Sequence, residues 1–486
     1  MSQSTNKSLV PQNTGDENSQ QSSPVRTNRA RVKELPKSLT LFVPENLDFD
    51  NLLEKNPPNF SYHKDKFIYI THLITDIPSR NKDKDYIFVP IYSSLLKTKV
   101  HNYKEYLDYL VDNGVFVKDG QYIVGKKSKA FSFTKTYNTK VKEVDITYPT
   151  LIKSINSFKK INTSSKTDFL KQDINELKYL EKWYNPKFTI DLDSAVNWIE
   201  NQLKIDIANQ SVQNPIQKYN YRILPILKIH NGNFNIVIDQ TAGRLHSPLT
   251  QLKGELRKFL TYNGERLFSI DIVNSQPYLL TVFLNEEKFK KNNILKTIQN
   301  YNPKTRKEHI NSLKIPYYVS KIGNPKYRPE NVKQYIKSVT LGKFYEDFGA
   351  LLKTEGLISG NGKELRKKAK NATFSSIFSP NNSISYNEQL KSFKKVFPDV
   401  YNLLSLIKFG KGHHNTLACT LQNFEANLIL HKACKIISRI NSNIPIFTLH
   451  DSIITTNEHI MLVEKVMNHV LTNAIGLPPV LKIEQL

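Results

Sequence analysis

The sequence predicts an α+β chain, a mainly helical body built around a small antiparallel sheet, and three observations predict it. Two short apolar runs of strand character, "RLFSIDIVNSQPYLL" and "IPIFTLHDSIITT", each close on an aspartate, Asp271 and Asp451. The long stretch between them, from about 285 to 430, reads as an inserted helical region. Within it, "RKKAKNATFSSIF" sets Arg366, Lys370, Phe374 and Phe378 at successive steps of four, which places them on one helix face.

Composition bounds the rest. At 486 residues the chain is long enough for two or three domains with substantial cores. A net charge of +25, from 69 Lys and Arg against 44 Asp and Glu, favours nucleic acid or an anionic membrane surface as partner. No apolar run approaches the roughly 20 residues of a spanning helix, so no membrane partner is expected. The polar N-terminus carries no secretory signal. Cys419 and Cys434 are too few for a zinc cluster or a disulfide framework, so a reducing, cytoplasmic compartment is expected.

Residues 1–36 are rich in Ser, Gln and Asn and nearly free of large apolar side chains, the composition of a disordered tail. From 37 to 140 the pattern is globular. "IYSSLLKTK" and "YKEYLDYLVDNG" have helical periodicity, with Asn113-Gly114 as a helix stop. "VFVKDGQYIVGKKSKAFSFT" then alternates like a hairpin turning at Asp119-Gly120. Two helices followed by a basic hairpin resemble a winged-helix module, with Lys126, Lys127 and Lys129 on or near the wing, where they would meet phosphates. A small accessory domain with a solvated lysine face fits the same residues. Residues 141–235 carry helical segments such as "LDSAVNWIENQLKI" and no evident chemistry. The first 240 residues lack the acidic pattern of a proofreading exonuclease.

The chemistry lies beyond 236. Two carboxylates at strand ends can share divalent metal ions, and a helix with cations and aromatics on one face can hold a triphosphate and a base. Together they imply a template-directed nucleotidyl transferase.

Four motifs, in order, resemble the family A (DNA polymerase I-like) polymerases. Thr241, Gly243, Arg244, Leu245 and Ser247 match a T-x-x-G-R-L-x-S segment that precedes the first catalytic strand. The fingers-helix pattern R-x3-K-x3-F-x3-Y falls on Arg366, Lys370, Phe374 and Phe378. Gln422, in "TLQNFEANLILHKACKII", matches a helix whose glutamine reads the minor groove, and His450-Asp451 matches the family's H-D motif on a β-turn-β. The resemblance covers roughly 236–460. It implies a right hand: an antiparallel palm sheet with helical fingers across 236–486, a helical thumb-like region at 141–235, and the winged-helix-like module at 37–140. Asp271 and Asp451 would be the catalytic metal ligands for two Mg²⁺ ions, with Mn²⁺ as a substitute. Arg366, Lys370, Phe374, Phe378 and Gln276 would bind the nucleotide; Arg244, Gln422 and His450, with Lys126 and Lys127, would bind nucleic acid. The partners implied are a DNA primer–template and nucleoside triphosphates. The sequence does not identify a protein partner. By analogy, the small size suits a plasmid- or phage-like replicon.

The chain also departs from the family. After the first aspartate it reads Ile272, Val273, Asn274, Ser275, Gln276 and Pro277, so Gln276 replaces the glutamate that crowds the sugar 2′ position. Phe378 and Ser379 stand in place of tyrosine and glycine, and Ser452 follows the His-Asp pair as in the single-subunit phage-type RNA polymerases. Three readings stay open: a DNA polymerase, which the bulk of Gln276 and the absence of a hydroxyl on Phe378 favour; an RNA polymerase or primase; and a winged-helix DNA-binding protein with an inactive palm.

Overall fold

The apolar run that ends at Asp271 forms a strand, Glu265–Ile272, which lies at the middle of the largest sheet of the chain's computed structural model. The structure describes residues 37–80, 86–120, 128–156, 174–210, 212–303 and 309–486. The expected tail at 1–36, and Lys126 and Lys127 of the expected wing, lie outside the described residues.

Glu265–Ile272 pairs antiparallel with Ser452–Thr456 on one side and with Leu481–Gln485 on the other. Its start forms a hairpin with Leu260–Tyr262 through Asn263-Gly264, where both residues have positive φ, the conformation a tight two-residue hairpin demands. Phe188–Ile190 extends the sheet beyond Leu260–Tyr262, and Phe447–Leu449 closes the far edge. The reading of 141–235 as helical missed Phe188–Ile190, because a three-residue strand leaves no periodicity to detect. Between Ile272 and Phe447 the described residues contain no strand. That insertion is helical, and one core cluster unites it with the sheet.

The polar-looking helix Gly362–Phe378 forms because Asn361 caps its first turn and no Gly or Pro interrupts it after the start. It buries Ala369, Ala372, Thr373, Ser376 and Ile377 and leaves its cations outside. Helix Phe344–Thr354 approaches it closely: a Cβ at Gly349 would stand 3.0 Å from the Leu365 backbone, so any larger residue would push the two helices apart by a few tenths of an ångström. At the helix C-terminus, Lys408 is 2% exposed and its Nζ donates to the carbonyls of Ser376 (2.6 Å) and Ser379 (3.0 Å). A cation there satisfies carbonyls left over by the last turn and opposes the negative end of the helix dipole. Among the described residues no helix is long and apolar enough to cross a membrane.

A second core cluster draws on residues from Leu41 to Ile152. Helices Lys64–Ser79, Ser93–Lys99 and Tyr103–Asp112 pack with a sheet in which Ala130–Phe133 lies between Val89–Pro90 and Phe116–Lys118. The helix stop expected at Asn113-Gly114 is present, with Gly114 at φ +68°. Leu39–Pro44 pairs with Val141–Ile146, so the cluster extends past residue 140. Strand alternation makes Leu39–Pro44 a seam between the two cores: Leu41 and Val43 face one, and Phe42 enters the other.

The seam is also charged. Asp76, on Lys64–Ser79, is 2% exposed and takes a hydrogen bond from Lys228 Nζ at 2.5 Å, across to helix Pro215–His230. It also pairs with Arg80. Burial alone would raise its pKa, but Arg80 and Lys228 hold it well below the ordinary carboxylate value. His72, lowered to about 4 by burial, stays neutral and accepts from the Phe42 amide through Nδ1.

Breaking a buried pair on one side strands the other charge. Asp76→Asn should therefore destabilise the protein by about 3–5 kcal/mol in urea denaturation. Adding Lys228→Met should recover part of that deficit. Because the folded pKa of Asp76 is depressed, its contribution is present above pH 4 and is lost as pH falls toward the folded value.

Candidate active site

Antiparallel register brings the two aspartates together. Asp271 pairs with Ser452, and Asp451 sits one residue earlier, in the two-residue turn His450-Asp451 that joins Phe447–Leu449 to Ser452–Thr456. His450 takes φ +54° to make this turn, an uncommon conformation for a side chain of its size. The carboxylates stand about 180 positions apart in sequence, yet neighbour each other at one sheet end.

Their electrostatics show the strain of that placement. Burial, Asp451 and Glu484 push the pKa of Asp271 up to about 7, against opposition from Lys482 and Arg257. Asp451 is raised as well, chiefly by burial, while a hydrogen bond from Ser275 and the charges of Arg244 and Lys370 pull the other way. Two carboxylates short of compensating charge and rich in hard oxygen suit a divalent cation such as magnesium. Among the described residues no group of three or more His, Cys, Asp or Glu side chains is arranged to hold a metal by itself.

Segment Asp239–Arg244 is folded by one carboxylate. Asp239 accepts from the backbone N–H groups of Thr241 (2.8 Å), Ala242 (2.7 Å) and Arg244 (2.9 Å), and Gly243 turns at φ +74°. His246 reaches the same aspartate at 3.3 Å and meets the His450 ring edge-on at 6.1 Å. Arg244 is thereby aimed inward, where its Nη2 donates to Glu425 at 2.6 Å.

Helix Gly362–Phe378 presents the expected stripe toward this corner. Phe374 and Phe378 stack at 5.7 Å, and Lys370 lies 5.6 Å from the Phe374 ring centre. Lys370 makes no ion pair among the described residues, and its charge reaches Asp451. Arg366 pairs with Glu346 at 2.7 Å and lies over the ring of Tyr345 at 5.4 Å. Tyr345 is itself buried, and Asp451 is among the charges that hold its hydroxyl protonated.

Gln422 is half-buried on helix Thr416–Ala426, one turn ahead of Glu425. Gln276, in the first turn of Ser275–Leu280, donates to Glu425 at 2.9 Å. The structure therefore gathers Asp271, Asp451, Arg244, Gln276, His450 and Lys370, with Arg366, Phe374, Phe378 and Gln422 on the two adjoining helices.

Sequence reading missed four residues here. Glu425 stood in full view within "TLQNFEANL", three positions after Gln422, but a lone glutamate in an apolar helix gives no hint of its partners. Ser275, Arg257 and Tyr345 likewise acquire their neighbours only through packing. The helix carrying Glu425 continues as a π-helix over Asn427–Cys434, a wound form frequent near functional sites.

No family model matches the chain, and no curated protein matches it in sequence. Among solved structures it is similar to the POL domain of Pol1 from M. smegmatis, in complex with DNA primer-template and dNTP. That similarity has a TM-score of 0.40 and 8% identity, over 65% of this chain and 69% of the other.

A pH test follows from the aspartate pair. Asp271 rises from 3.8 to about 7 on folding, so its share of stability is full below pH 4 and is lost as pH rises through 7. Without divalent cations, Asp271→Asn should raise the melting temperature clearly at pH 8 and hardly at all at pH 3.5. Equal shifts at both pH values would mean that burial and Asp451 do not raise the Asp271 pKa.

Proposed function

We propose that this chain is a template-directed DNA polymerase of the family A type, extending a primer 3′ end with release of pyrophosphate. One observation carries the reading: Asp271 and Asp451 meet at a sheet end while the Lys370 charge, from a helix inserted between them, bears on Asp451. Nucleotidyl transfer needs that combination, because little covalent chemistry falls to the protein and catalysis is positioning plus electrostatic stabilisation.

In this reading the antiparallel sheet is the palm, the inserted helices are the fingers, and the helices before 236 serve as a thumb. Magnesium bound by Asp271 and Asp451 would supply Lewis-acid activation of the primer hydroxyl and neutralise the triphosphate. Lys370 and Arg366 hold the β- and γ-phosphates, Arg366 exchanging Glu346 for phosphate when the substrate arrives. Phe374 packs on the nucleoside, and Phe378 with Gln276 bounds the sugar. Gln422 and Arg244 meet the primer–template from the minor-groove side, and His450 fixes the turn that lifts Asp451. In this scheme no proofreading site is assigned among the described residues.

The N-terminal module is proposed to hold DNA as a winged helix. Support comes from its helix–strand–helix–helix–strand–strand order, in which the last strand lies between the first two, and from the lysines of the hairpin. Ribonucleotide polymerisation or priming is the second reading, favoured by Ser452 after the His-Asp pair.

Primer extension on a DNA template, with dNTPs and rNTPs supplied separately, tests the proposal. Efficient dNTP extension is expected; primer-independent use of rNTPs would replace it with the second reading. Asp271→Asn or Asp451→Asn should cut Mg²⁺-dependent incorporation at least about a thousandfold, since the charge stabilisation removed is about 4 kcal/mol, while DNA binding stays near normal. Lys370→Ala should raise the KM for nucleotide with little change in DNA affinity. Replacing both Lys126 and Lys127 by Ala should reduce the log–log salt slope of DNA binding by roughly 0.9 for each phosphate that is no longer neutralised; an unchanged slope returns those lysines to the solvated surface.

A further inference from the structure

Glu425 has no part in the scheme above, yet it is the most enclosed charged group near the aspartates, with a side chain 1% exposed. Both of its oxygens are used. Oε1 accepts from Arg244 Nη2 at 2.6 Å, and Oε2 accepts from Gln276 Nε2 at 2.9 Å. At pH 8, above the value of about 7 to which burial raises it, Glu425 is ionised and only accepts, so it holds the Gln276 amide one way round, with the NH₂ toward Glu425 and the carbonyl turned away. That carbonyl oxygen, Oε1 of Gln276, is buried and has no hydrogen-bond partner among the described residues. Arg244 Nε is in the same condition.

A buried acceptor without a donor is costly and therefore calls for an explanation, such as a group that arrives later. Gln276 is bonded to Glu425, and the charges of Asp451 and Asp271 both reach that carboxyl, so its free oxygen lies in the neighbourhood of the aspartates. What would arrive there is the sugar of the incoming nucleotide, which brings hydroxyl donors.

We propose that Glu425 is a positioning residue for sugar selection, locking Gln276 so that its Oε1 accepts a hydrogen bond from the 2′-hydroxyl of a ribonucleotide. The inference rests on the polymerase reading of the site. It makes discrimination against ribose leaky: the bulk of Gln276 obstructs the 2′-hydroxyl while its oxygen partly compensates it. Bulk and acceptor are then separable. Truncating Gln276 admits ribose more freely. Removing only the acceptor, or its fixed orientation, excludes ribose more strictly.

The test uses the full chain. Binding of ATP and dATP is measured by titration calorimetry at pH 8 with magnesium, and primer extension is followed in parallel. Glu425→Gln, nearly isosteric, frees the Gln276 amide to rotate and should weaken ATP relative to dATP by about tenfold. Gln276→Leu, which keeps the bulk and removes the acceptor, should shift the ratio in the same direction, and the double variant should add nothing further. If Glu425→Gln weakens both nucleotides by the same factor, or the two variants act additively, Glu425 is only a structural anchor and the proposal falls. If Glu425→Gln melts early, Gln276→Leu alone decides by the sign of its shift. Absence of extension by the unmodified protein, with the binding ratio still shifting as expected, would sink the polymerase reading and leave the nucleotide-sugar assignment standing.

Discussion

Two negative charges held side by side at the end of one antiparallel pairing are the constraint on which the rest of this structure depends. The register Asp271 to Ser452 brings the carboxylates together, since Asp451 is the residue just before Ser452, in the turn that leads into its strand. Around them stand the compensations: Arg244, Lys370, Arg257 and Lys482 by charge, and Ser275 by hydrogen bond. Burial outweighs them, so the pKa values of both aspartates are raised. A site left electrostatically unsatisfied is a site prepared for a cation or for a developing charge, and perturbed carboxylates in a folded corner are where function is sought first.

The helical insertion is shaped by that corner. Its stripe of Arg366, Lys370, Phe374 and Phe378 would be an ordinary solvated helix face if the helix stood elsewhere. Two packing devices hold it in place. Gly349 lets the neighbouring helix approach within backbone contact, which carries Tyr345 up to Arg366. Lys408, buried and with its amine lowered to about 8 by that burial, still spans the last carbonyls of the helix. Cationic side chains exposed on one face and a cation sealed beneath the other end give the helix its orientation.

The N-terminal module is attached by different physics. Its seam to the main body mixes one apolar plug, Phe42, with a buried charge cluster at Asp76, a Lys140–Glu200 pair at 2.6 Å and several amide hydrogen bonds. Such polar seams need each partner in place, because a stranded charge costs more than the pair contributes. The two cores are therefore separate in apolar content and coupled through specific charges.

Local signals in the sequence were sufficient for a good part of this. Apolar runs closing on Asp271 and Asp451 became strands, the step of four from Arg366 to Phe378 became one helix face, and Asn113-Gly114 became a helix stop, because each is decided by a few neighbouring residues. The short strand Phe188–Ile190 escaped, since its identity comes from the strand beside it. Glu425 escaped for a deeper reason. Its chemistry consists entirely of Arg244, 181 positions earlier, and Gln276, 149 positions earlier, and only burial against both turns a helix glutamate into the pin between them. The same holds for Asp76 and Lys228, 152 positions apart. The sequence by itself determined which groups were available and which local shapes would carry them; tertiary structure alone decided which buried charges face each other, because desolvation gives a charge its meaning only once its partner is known.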